Sequence, residues 1–85
     1  MDKIRIALGN KGQFVFEREY DSKNADSARA MVLEYRAFYT DYRSKHIISA
    51  RKWNFPPVLI NGVQKYVVTP NGSWYDNWRG KDDAE

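Results

Sequence analysis

Cysteine is absent, so neither a disulfide nor a thiolate metal site can supplement the core of this chain. Histidine occurs once, at position 46, which rules out the histidine pairs on which the common zinc sets depend. Proline is confined to positions 56, 57 and 70, and no repeat, low-complexity tract or internal linker appears. No apolar run approaches the ~20 residues of a membrane-spanning helix. The residues after Met1 lack the basic-then-apolar pattern of a secretory signal. A soluble, cytoplasmic protein is therefore expected, with no metal, no cofactor and no membrane partner.

At 85 residues the chain is expected to form one small domain, 1–80, with 81–85 as a frayed tail. The formal charge of +3 is a mild basic bias, compatible with an anionic partner. The aromatic content of 15%, with three tryptophans and six tyrosines, says more. Rings in that number either build a small core or face a partner.

The longest helical period lies in the middle, from Ala25 to about Lys45. Ala28, Met31, Val32, Tyr35, Phe38, Tyr39 and Tyr42 fall on one arc, the apolar stripe of a helix lying on a sheet. Asn24 is placed to cap the start, and Asp26 sits where the helix dipole favours an acid. Ile47 and Ile48 fall outside the arc, so the phase breaks near Ser44. Residues 46–53 then fit a kinked extension, a short second helix or a strand. The pattern leans to helix ending before Asn54, because Pro56 and Pro57 push the residues before them towards extended geometry.

Two strand-rich ends flank this middle. In residues 3–8, Ile4, Ile6 and Leu8 alternate with Lys3 and Arg5. Gly9-Asn10-Lys11-Gly12 supplies a turn, after which Phe14, Phe16 and Tyr20 alternate against Glu17 and Glu19. Beyond the prolines, Asn61-Gly62 sits between two β-rich runs, the favoured two-residue hairpin loop. That loop sets Ile60 opposite Val63 and Val58 opposite Lys65. A second turn follows at Thr69-Pro70-Asn71-Gly72, and Trp74 and Trp78 share a face whether their segment is strand or helical turn.

The expected fold is α+β: a β-hairpin, a central helix and a second β-hairpin, with one antiparallel sheet covered by one main helix. The expected core is Ile4, Ile6, Leu8, Phe14, Phe16, Met31, Val32, Tyr35, Tyr39, Leu59, Tyr66 and Val68. The pattern does not fix how the hairpins pair, so strand order stays open.

Catalytic chemistry has little to stand on. His46 has no adjacent orienting partner in the sequence pattern, and a structural imidazole accounts for it. Glu17 and Glu19 fit a solvated strand edge, while Asp82, Asp83 and Glu85 fall on the tail. Gly9 and Gly12 belong to a turn and not to a phosphate-binding strand-to-helix loop. No enzyme is expected.

Two surfaces stand out instead. Arg29, Arg36 and Arg43, spaced by seven, line one side of the helix, and Lys45, Arg51, Lys52 and Trp53 extend that side. Residues 43–55 contain no acid. Cations mixed with rings in this way suit weakly sequence-selective nucleic-acid binding, or an anionic partner generally. Against this stands a plain solvated basic face with its tyrosines in the core. The second surface is Ala30, Leu33 and Ala37, an apolar strip opposite the core stripe. It fits a seat for Trp74 or Trp78 folding back, or a docking groove for a larger protein on which this chain acts as inhibitor or adaptor. On the first of those alternatives, deleting residues 73–85 would destabilise the protein and deleting only 81–85 would not.

Overall fold

The computed structural model describes residues 1–76, so Trp78 and the expected tail at 81–85 lie outside the described residues. The chain forms strands β1 (Asp2–Leu8) and β2 (Phe14–Tyr20), helix α1 (Ala25–Lys45) and a single 3₁₀ turn (Ala50–Lys52). Strands β3 (Pro57–Ile60), β4 (Val63–Val68) and β5 (Trp74–Asp76) follow. The five strands make one antiparallel sheet in the order β2-β1-β3-β4-β5. The α+β class stands, with a fifth strand added after the second hairpin.

Alternation explains which face is covered. Ile4, Ile6 and Leu8 are fully buried, and Ile6 pairs with Phe16 on one side and Val58 on the other. Lys3, Arg5, Val15, Glu17 and Glu19 point to the opposite, exposed face, where Arg5 and Glu17 approach to 3.7 Å. The helix lays Met31, Tyr35, Tyr39 and Tyr42 on the apolar face, with Ala28, Val32 and Phe38 at the margins. Each of these large side chains contributes about 1.5–3 kcal/mol on burial. Asn24 caps the helix as its position implies, its Oδ1 accepting from Asp26 N at 2.9 Å and Ser27 N at 3.2 Å. Arg18, on the edge strand β2, lies over the Phe16 ring at 4.8 Å and bonds Glu34 of α1 at 2.7 Å.

The two hairpins meet at β1 and β3, and the Asn-Gly turn helps set the seam. Asn61 takes φ 54° and Gly62 φ 83°, the two positive values that the two-residue loop requires. Asn61 then reaches across: its Oδ1 accepts from Lys3 N at 3.0 Å, and its N–H donates to Lys3 O at 2.8 Å.

Several expectations are corrected. Ile60 does face Val63, but an irregularity between Val58 and Leu59 sets Val58 opposite Tyr66, not Lys65. The extra residue re-aims the strand so that Tyr66 and Val68 reach the helix side. Leu59 pairs with Arg5 on the opposite face and lies outside the core cluster, while Tyr20, Tyr42, Trp53 and Val58 join it. The helix stops at Lys45 and does not run on towards Asn54; residues 46–49 are irregular before the 3₁₀ turn. Phe55, ahead of the prolines, adopts φ 53° instead of an extended conformation. A following proline disfavours right-handed helix, and the left-handed region is the alternative used here.

Candidate interaction surfaces

The helical spacing predicts Arg43 on a basic binding face, yet the fold turns it, half-buried, towards the β4–β5 turn. Tyr35, Tyr39 and Arg43 recur every fourth residue, which stacks them along α1 facing the β4–β5 turn. Tyr35 Oη donates to Gly72 O at 3.0 Å, and Tyr39 Oη and Arg43 Nη1 both donate to Pro70 O. Arg43 also donates to Tyr39 Oη at 2.8 Å and to Ile48 O at 3.1 Å. Its guanidinium lies 5.4 Å from the Trp53 ring centre and 5.8 Å from that of Tyr39. These bonds from Nη1 and Nη2 hold the turn and the post-helix segment to the helix.

Trp53 is likewise internal. It is buried, its Nε1 donates to Val68 O at 2.6 Å, and its ring meets Tyr39 edge-on at 6.1 Å. A base cannot stack on a ring so enclosed. The remaining cations of the set, Arg29, Arg36, Lys45, Arg51 and Lys52, are exposed. Lys45 pairs with Asp41 at 3.4 Å. Arg29, Arg36, Arg51 and Lys52 have no side-chain ion pair or hydrogen bond among the described residues. The basic segment is therefore split into a structural centre and a solvated periphery.

The apolar strip is not the seat of Trp74, and the other candidate, Trp78, lies outside the described residues. Ala30, Leu33 and Ala37 are all exposed, Leu33 at 64%, and Trp74 does not cover them. Trp74 instead stacks on Tyr66 at 5.8 Å and tilts against Tyr35 at 5.1 Å, partly buried at the edge of the core. The sheet extends to β5, so Trp74 arrives on the helix's inner side and never reaches its outer one.

Between α1 and the β4–β5 turn lies an open cleft of about 220 Å³, walled by Val32, Tyr35, Gly72 and Trp74, with Arg36 at its margin. Burial pushes the Tyr35 hydroxyl well above its ordinary value, and the neighbouring Trp74 indole opposes that shift. The Trp74 N–H is itself buried without an aligned acceptor among the described residues.

His46 packs between Phe14 at 4.7 Å and Tyr42 at 4.9 Å, as a structural imidazole does. Among the described residues no three of His, Asp and Glu converge as metal ligands. No helix among them is long and apolar enough to cross a membrane. Ile47, 92% exposed, is a surface residue that the sequence marks only by the break in helical phase.

The chain is thus an α+β domain with one helix on a five-stranded antiparallel sheet. Comparison with protein-family models, curated proteins and solved structures finds no match.

Proposed function

We propose that this protein is a non-catalytic protein-binding module, an inhibitor or adaptor that engages a larger partner through the outer face of α1. One observation carries this reading: Arg43 and Trp53 are spent on internal contacts, while Leu33 stands exposed between Ala30 and Ala37. Arg29 and Arg36 flank that strip on one side. Glu34 and Asp41 flank it on the other, held by Arg18 and Lys45. An apolar centre with a charged rim is the anatomy of a protein interface. The cleft beside Arg36 offers a partner side chain a place to insert.

The test is a pull-down from nuclease-treated host lysate with wild type, Leu33→Asp and Arg36→Glu. A partner retained after nuclease and lost with either variant is the expected result. Both positions are exposed, so melting temperatures should stay within about 4 °C of wild type. Retention of the same partner by both variants refutes the helix face as the contact.

A second reading has its own support in the four exposed cations Arg29, Arg36, Arg51 and Lys52, which are free of ion pairs among the described residues. They suit weakly selective phosphate contact, without base stacking. Fluorescence anisotropy with single- and double-stranded probes at two salt concentrations checks it. Absence of binding at low salt eliminates it.

A further inference from the structure

The end of the molecule beyond α1 carries a second surface, about 20 Å along the helix from Leu33. There the backbone is pinned on both sides of Ile47. His46 N donates to Tyr42 O at 2.9 Å, and the His46 ring is held between Phe14 and Tyr42. On the far side Arg43 donates to Ile48 O at 3.1 Å, and Lys52 N donates to Ser49 O at 3.0 Å.

Ile47 nevertheless turns its side chain out, 92% exposed. It divides two shallow cavities that also share Asn10 and Ile48. One, of about 290 Å³, reaches Phe14 and Tyr42, and the other, of about 340 Å³, is bounded by Ser49 and Lys52. A large apolar side chain on a pinned segment loses little freedom when covered, which is the property of an interface anchor.

Among the described residues, the two segments that adjoin the cavities carry charge of one sign. Lys11 lies in the adjoining β1–β2 turn, and Arg51 and Lys52 in the 3₁₀ turn, all exposed. Neither 9–13 nor 43–55 contains an acid, and the nearest helical acid, Asp41, is paired with Lys45.

We propose that this end docks an acidic, amphipathic segment of a partner protein. Its apolar side chains seat in the two cavities on either side of Ile47, and its carboxylates meet Lys11, Arg51 and Lys52. The proposal extends the protein-binding reading to a second face and stands separately from the helix surface. A peptide fits better than a lipid surface, because the site is two hollows about a single exposed isoleucine and not a broad apolar protrusion. It fits better than a nucleic acid, because the rings of Phe14, Tyr42 and His46 are packed on one another.

The experiment selects a displayed library of random 12-residue peptides against the full chain, with counter-selection on Ile47→Asp. Enriched peptides should combine Asp or Glu with Leu, Ile or Phe. Their affinity should fall about tenfold or more with Ile47→Asp, fall several-fold with Lys52→Glu, and be unchanged by Leu33→Asp. Amide shifts on binding should concentrate in residues 9–14 and 46–52. Unchanged thermal unfolding of both variants assigns the loss to the surface and not to misfolding. Any of three outcomes overturns the proposal: no enrichment, enrichment of neutral or basic peptides, or equal binding to Ile47→Asp. Ile47-dependent binding of phosphatidylserine vesicles or of an oligothymidine without peptide enrichment also overturns it, in favour of lipid or nucleic acid. Loss with Leu33→Asp alone would support the helix face and refute this one.

Discussion

Gly72 lies in a turn at φ 89°, and a β-carbon built there would stand 2.6 Å from the Tyr39 ring. Gly62, at φ 83°, has open space in the same direction. Both glycines supply a left-handed backbone, but only Gly72 also permits close approach to the helix. Gly62→Ala should therefore cost only the conformational term, about 1 kcal/mol. Gly72→Ala should cost about 3 kcal/mol or more, because a rigid ring locked by its own hydrogen bond must also move. Urea unfolding of the two variants measures this, and equal losses would refute the packing account. The glycine and its turn were legible in the sequence. The tyrosine above it was not, because that contact depends on which way the sheet brings the turn.

At the scale of elements, α1 does more than cover the sheet. Its inner edge holds the β4–β5 turn through Tyr35, Tyr39 and Arg43, so one helix face both fills the core and clamps a loop. The apolar period and the Asn24 cap were readable because they rest on spacing within the element. Arg43 was not, because an arginine without a nearby acid looks solvent-facing until the carbonyls of Pro70 and Ile48 are brought to it. Arg43→Met should keep the stem but leave those carbonyls with fewer donors, lowering stability by about 1–3 kcal/mol. Arg36→Gln, seven residues earlier on an exposed face, should change it by no more than about 0.5 kcal/mol. Thermal and urea unfolding of the pair check the contrast, and equal behaviour would return Arg43 to the surface.

The whole molecule depends on tyrosines that must stay neutral to remain where they are. Burial raises the Tyr35 hydroxyl far above its ordinary value near 10 and raises Tyr20 as well. A raised value in the folded state means the folded protein holds its proton longer than the unfolded chain does. The contribution is complete below about pH 10 and is lost as pH rises through the folded value. For Tyr35 the loss above pH 10 is about 1.4 kcal/mol per pH unit. Melting temperature should fall steeply between about pH 10 and 12, with tyrosinate absorbance rising in step with unfolding. Tyr35→Phe should flatten that fall while lowering stability at neutral pH by about 1 kcal/mol, through loss of the bond to Gly72 O. A wild-type melting curve independent of pH up to 12 would contradict the burial argument.

The amino-acid pattern by itself determined the local elements: two alternating hairpins, a capped helix with one apolar stripe, and an Asn-Gly loop between Ile60 and Val63. Each rests on interactions between near neighbours in sequence, where period and turn chemistry act directly. Tertiary structure alone decided the order β2-β1-β3-β4-β5, the irregularity that turns Tyr66 inward, the carbonyl contacts of Arg43 and the burial of Trp53. It also decided the exposure of Leu33 and Ile47. These depend on contacts such as Ile4 with Ile60 and Arg43 with Pro70, between residues far apart in the chain. Their free energy exists only once the hairpins and helix have met, so no local period encodes it.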